Sequence, residues 1–259
     1  MPAPYPVDRL WPDPAAGLDL DAELASLAPP MAHADGRPWV TLNMVTSIDG
    51  RAQLAGKAEG LGSRADRRLM QLYRVACDVV GSGVGTLVAD DFFSHLPEDL
   101  VERRRAAGRA GQPAALLIAG RHRIPTDRRW FRYADQPRIV AVGAGSPHAR
   151  DEPLPGVELW VAPTEEPEPA WVLERLAAAG HGSLLLEGGP TVNGAFLASG
   201  LVDELCWTVG PRLLANQALP MVAPLASDGL AVPAEAELLS VHRHANELFL
   251  RYRLGSIGA

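Results

Sequence analysis

The chain has 259 residues, 47% hydrophobic and 21% charged, which allows one large domain or two small ones with a sizeable core. A net charge of −7 argues against the basic footprint that nucleic acids and anionic membranes require, and no run approaches the ~18 apolar residues of a membrane span. Cys77 and Cys206 lie far apart in apolar stretches and match no zinc, redox or disulfide spacing, so both are expected as buried thiols. The opening MPAPYPVDRLWPDP lacks the apolar segment of a signal peptide, and a cytoplasmic location is expected.

Residues 1–36 read as a proline-rich arm that packs on the body or on a partner subunit, with DLDAELASL (19–27) as a short helix capped by Asp19. From residue 37 to 259 strands and helices alternate. WVTLNMVTS (39–47) is a strand that ends in the turn Ile48-Asp49-Gly50. Ser63 caps the helix RADRRLMQLYRVA, with Asp66 as the return arm of a capping box and Leu69, Leu72, Tyr73 and Ala76 as its apolar stripe. CDVVGSG (77–83) is a buried strand running into a glycine-rich turn, GSGVGT (81–86), and residues 97–112 form a polar stretch. Strands follow at 114–120, 138–145 and 157–163, then a helix from Pro169 closed by Gly180. GSLLLEGG is a further strand, PTVNGAFLASG a helix, and residues 201–214 contain one strand. AELLSVHRH and LFLRYRL form a terminal hairpin around Ala245-Asn246. The fold class is α/β, a mostly parallel sheet with an antiparallel edge.

Ligands of such sheets sit at the carboxyl ends of the strands, and three glycine-marked ends qualify: Ser47–Gly50, Gly81–Thr86 and Glu187–Gly189. In the last, Pro190 opens a helix whose free N–H groups suit a phosphate, although an ordinary strand-to-helix turn reads the same. GSGVGT could cradle a pyrophosphate, but it is neither a Walker loop nor a full dinucleotide fingerprint. Glu187 ends a buried strand, which calls for a shifted pKa, a ligand hydrogen bond or an arginine partner. Asp90 and Asp91 can present a carboxylate to the same cleft or serve as a solvated pair or cap, and Asp49 reads as a turn residue. His95 is the histidine nearest a candidate cleft. His242 and His244 share a strand face without a third partner, so no metal site is expected. Lys57, the single lysine, reads as codon usage.

TLNMVTSIDGRAQ (41–53), CDVVGSGVGTLVADD (77–91) and LLLEGGPTVNGAFLASGLVDEL (184–205) together resemble the reductase domain of riboflavin biosynthesis, a family with the dihydrofolate reductase fold. The resemblance runs from about Arg37 to Arg253 and makes residues 37–259 the reductase domain. It implies a homodimer, NADPH as hydride donor, and reduction of 5-amino-6-(5-phosphoribosylamino)uracil at the ribose C1′. It places the cofactor against Gly83, Val84, Gly85, Thr86 and Asp90, and against Gly188, Gly189, Pro190, Thr191, Val192, Asn193 and Gly194. Asn43, Asp90 and Glu187 become the catalytic candidates, and Asn43, Ser63, Arg74 and Glu187 the substrate contacts. Arg51, Arg64 and Arg74 could meet the substrate phosphate. Arg121 and Arg123 could meet the cofactor's 2′-phosphate or form surface ion pairs.

The pattern departs from the family in three places. Asp90-Asp91-Phe92 replaces Asp-Asp-Pro, Gly60-Leu61-Gly62-Ser63 replaces Trp-Ile-Thr-Ser, and Ser94-His95-Leu96-Pro97 replaces a basic stretch. Phe92 and Phe93 could pack on a flat ring, so a dihydrofolate or pterin reductase and a nucleotide-binding protein without turnover stand as alternatives.

Overall fold

The computed structural model describes residues 4–25, 32–150, 153–215, 218–223 and 235–255. In chain order the elements are β1 (Pro6–Trp11), β2 (Ala15–Asp19), α1 (Leu20–Ala25), β3 (Trp39–Thr46), α2 (Arg64–Ala76), β4 (Val79–Gly83) and α3 (Val84–Asp90). They continue with α4 (Glu98–Ala106), β5 (Ala114–Gly120), β6 (Arg138–Val142), β7 (Glu158–Val161), α5 (Pro169–Ala178), β8 (Ser183–Leu186), α6 (Pro190–Ala198), β9 (Glu204–Val209), β10 (Ala236–His244) and β11 (Glu247–Leu254).

The strands make one sheet in the order β2-β1-β10-β11-β9-β3-β8-β4-β5-β6-β7. From β9 to β7 every neighbouring pair is parallel, and from β9 back to β2 every pair is antiparallel. This is the α/β sheet with an antiparallel hairpin edge that the sequence pattern predicts. β4, β5 and β8 are buried along their whole length because both faces are covered. Leu184 and Leu186 join the core beneath α5 and α6 with Leu116, Val172 and Phe196. Leu185 points to the opposite core with Leu117, Val140 and Leu87.

Several expectations need correction. The arm packs on the body, one of the two expected outcomes, but as two strands of the sheet that were not expected: β1 pairs with β10, and Val7 and Leu20 are buried with Leu69 and Phe249. Its prolines mask this, yet Pro6 is the first residue of β1, a position where a missing N–H costs little. Asp19 caps α1 as expected, accepting from the N–H groups of Asp21 and Ala22. The polar stretch contains α4, whose Glu98 and Asp99 lie in the first turn and Arg103 to Arg105 in the last, complementing the helix dipole. Its few apolar residues hide the helical period. GSGVGT is no turn, since Gly81 and Gly83 belong to β4 and α3 begins at Val84. Glycine at 81 is a packing requirement, because a Cβ there would lie 3.1 Å from the side chains of both Leu184 and Leu186.

Candidate active site

β3, β8 and β4 are consecutive parallel strands, so their carboxyl ends open side by side. There the two glycine loops interlock. The Gly83 N–H donates to the Gly188 carbonyl at 2.9 Å, and the Glu187 N–H donates to Gly81. Gly188 has φ +93°, a conformation that suits glycine, and a Cβ on Gly189 would lie 3.0 Å from Thr86 Oγ1. Gly85 faces open space, with nothing within 4 Å of its Cβ position. Two helix N-termini, those of α3 and α6, therefore converge on one edge.

Beside them lies a cavity of about 690 Å³. β3 lines it with Asn43, Met44 and Val45, and α3 with Thr86, Val88, Ala89 and Asp90. α2 contributes Asp66, Arg67, Met70 and Arg74, and Glu187 closes the end of β8. Lys57, Arg128, Arg129, Phe92 and Phe93 complete the polar and aromatic wall.

The Arg74 guanidinium donates twice to Glu187, Nε to Oε1 at 2.7 Å and Nη2 to Oε2 at 2.6 Å, with both side chains about 5% exposed. Of the three explanations for Glu187 at a strand end, the arginine partner is present. Asp90 Oδ1 accepts the Ala58 N–H at 2.9 Å, which ties the 52–62 loop to α3. Asp91, in the left-handed region at φ 48°, takes the Arg129 backbone and side chain, so it ends α3 rather than facing the cleft freely. Asp66 is a further cavity carboxyl, and burial pushes its pKa up to about 7, assisted by Glu247 and Glu187 and opposed by the Thr208 hydroxyl and Arg67.

The predicted residues divide. Asn43, Arg74, Thr86, Asp90 and Glu187 come together on the cavity wall. Gly83, Val84, Gly85, Gly188, Gly189 and Pro190 form the adjoining glycine edge, with Thr191 and Val192 in the first turn of α6. Asn193 and Gly194 are turned inward, and Asn193 Nδ2 donates to the Met221 carbonyl at 2.8 Å. Ser63 lies outside the cavity lining. Its Oγ caps α2 by accepting from Ala65 and Asp66, and its N–H and Oγ donate to Glu247 at 2.8 and 2.5 Å. The capping-box return arm is thus Glu247 of a distant strand, not Asp66.

Arg51 donates to the Ala218 carbonyl, Arg64 lies on an outer groove, and Arg121 is exposed, 3.9 Å from Glu165 and Glu166. His95 also lies outside the lining, bonded to Asp135 and Gln112 and stacked on Tyr133. His242 and His244 clasp the arm through Glu23 and the Pro6 carbonyl. Asp49 is a turn residue, held to about 2 by the Ser47 hydroxyl and the Leu214 and Ala215 N–H groups. Both cysteines are free and buried, and burial pushes the Cys77 thiol up to about 12.

Sequence reasoning missed Asp66, Arg67, Lys57, Arg128 and Arg129. A signal for the first existed: Asp66 and Arg74 lie on one line of α2 with Met70 between them, at a spacing of four residues beside the apolar stripe. Lys57 sits on a loop whose course no periodicity reveals.

Fold and cavity define an α/β protein with its ligand cleft at the carboxyl ends of a parallel sheet. Residues 38–248 match the RibD C-terminal domain family, and the chain belongs to it. It is 29% identical over 218 residues to the 2,5-diamino-6-ribosylamino-4(3H)-pyrimidinone 5′-phosphate reductase of Methanothermobacter thermautotrophicus, covering 83% of this chain and 98% of that one. The enzyme of the same name from Archaeoglobus fulgidus is 29% identical over 190 residues, 72% of this chain and 86% of its own. A pyrimidine reductase-like protein from Corynebacterium diphtheriae superposes with a TM-score of 0.79 at 23% identity, covering 92% of this chain and 99% of that one, which shows the shared fold.

Proposed function

We propose that this chain is an NADPH-dependent reductase that converts a phosphoribosylated aminopyrimidine into its ribitylamino product. The substrate is 5-amino-6-(5-phosphoribosylamino)uracil or the diamino-pyrimidinone 5′-phosphate for which the archaeal relatives are named. One observation supports the reading above the others: Thr86 and Glu187, which flank the glycine edge of β4 and β8, line one cavity together with a wall of cations and carboxyls.

The residues present fit a nicotinamide dinucleotide, because the open space over Gly85 leaves room for a ligand against the backbone at the start of α3. Gly83 to Thr86 and Gly188 to Val192 would hold it, and it would supply the hydride. Arg121 remains a candidate for its 2′-phosphate. The chain's own residues do the rest. Arg74 fixes the Glu187 carboxylate at the cavity wall, and Asn43 offers an amide to the pyrimidine. Asp90 is placed to orient substrate and cofactor while anchoring the loop above them. Lys57, Arg67 and Arg128 suit the ribose phosphate, and Arg128 Nε is buried with no hydrogen-bond partner among the described residues, 3.8 Å from Asp127 Oδ1. Phe93 stacks on Tyr133 and carries Arg129 over its ring, and Phe92 packs in the core, so these rings already have partners that a pterin would have to replace.

The test is NADPH consumption with each pyrimidine, and with dihydrofolate in parallel, followed by mass analysis of the product. Conversion of one pyrimidine to its ribitylamino form is expected. Turnover of dihydrofolate alone, or of none of the three, would overturn the reading. The same proposal includes a cytoplasmic location, checked by cell fractionation, and a homodimer, checked by light scattering of the purified protein.

A further inference from the structure

Asp66 is a cavity carboxyl to which the reading above gives no task. Its place is made by a missing side chain: a Cβ built on Gly62 would lie 2.0 Å from Asp66 Oδ2 and 2.6 Å from its Cγ. Glycine at 62 therefore makes the room in which the Asp66 carboxyl sits at the wall. The other carboxyls there are committed as acceptors. Both Glu187 oxygens take the Arg74 guanidinium, Asp90 takes the Ala58 N–H, and Asp91 takes Arg129, while Glu59 stands exposed on the loop.

We propose that Asp66 is a further catalytic residue of this site, a carboxylic acid that delivers the proton required when the substrate carbon is reduced. This rests on the reductase reading. Reduction at the ribose C1′ adds a hydride from the reduced nicotinamide, breaks the bond from C1′ to the ring oxygen, and leaves the electron pair on that oxygen. The pair takes the Asp66 proton, the nicotinamide is oxidised, and the carboxylate regains a proton from water.

The surroundings keep the acid form available. Glu247 on β11 and Glu187 at the end of β8 oppose a charge on Asp66, and the Arg74 charge beside them is bound to Glu187. Arg67 on its own helix and the Thr208 hydroxyl on β9 favour the charge, and burial outweighs them, so the proton is held to a pH of about 7. The sign follows: the acid form is present at low pH and is lost as pH rises through that value. Pyrimidine reduction should therefore be level on the acid side and fall on the alkaline side.

The experiment compares wild type with Asp66→Asn and Gly62→Ala. Asp66→Asn removes the acid and keeps the shape, while Gly62→Ala keeps the acid and displaces it. Both should lower kcat by about 10²-fold or more with little change in NADPH affinity, and Asp66→Asn should abolish the alkaline fall. Carbon NMR of carboxyl-labelled aspartate, without substrate, should show a resonance absent from Asp66→Asn that titrates near 7. A resonance titrating in the ordinary aspartate range would overturn the proposal, as would normal turnover with an unchanged pH profile in both variants. Wild-type protein that reduces neither pyrimidine would instead overturn the reductase reading, and the catalytic role of Asp66 with it, whatever the titration gives.

Discussion

Arg74 and Glu187 meet from α2 and the end of β8 with about 5% of each side chain exposed. Burying two charges is costly, and removing one partner leaves the other without compensation. Arg74→Ala should cost about 3–5 kcal/mol, read as a lower urea midpoint at unchanged slope. Gly85 is the opposite case, because nothing in the protein lies within 4 Å of its Cβ position. Gly85→Ala should hold or raise Tm, since alanine favours a helix by about 1 kcal/mol, and should weaken NADPH binding by about tenfold or more, measured by quenching of protein fluorescence. An unchanged Kd would place the cofactor elsewhere. At this scale the chemistry was partly legible: Glu187, Asp90 and Asn43 could be named as candidates, but which arginine answers Glu187 could not. Arg74 is 113 positions away in the chain, and only the packing of α2 over β8 brings the pair together.

The helices were readable where their ends carry strong local chemistry. Ser63, Pro169 and Pro190 mark starts as expected, and Gly180 and Gly200 follow the ends with positive φ. α4 was not legible, and its buried Arg104 explains part of the reason. The Arg104 guanidinium sits where an apolar residue would be expected, donating to the carbonyls of Arg74, Val75 and Cys77 at the end of α2. Ser63 was legible as a cap and is engaged as one, doubled by Glu247. Ser63→Ala should cost about 1–2 kcal/mol in thermal or urea unfolding and leave the KM for substrate nearly unchanged. A selective rise in KM would restore Ser63 as a substrate contact.

For the whole molecule, the arm decides how the sheet ends. β1 covers β10, Asp8 pairs with Arg243, and Val7 and Leu20 close a cluster with Leu69 and Phe249. Burial of each such side chain stabilises by about 1.5–3 kcal/mol, and an uncovered strand edge invites pairing with another chain. Deletion of residues 1–36 should lower Tm and cause aggregation, visible as concentration-dependent light scattering. An equally stable, monodisperse product would make the arm dispensable. The sequence by itself determined the alternation of strands and helices, the hairpin edge and the glycine-marked strand ends, because these follow from local periodicity and turn chemistry. Tertiary structure alone decided that the two glycine loops interlock, that Arg74 answers Glu187, that the arm joins the sheet and that Gly62 makes room for Asp66. Those are contacts between segments distant in sequence or turned toward one another by a loop, and burial and charge pairing act across space, where no local pattern records them.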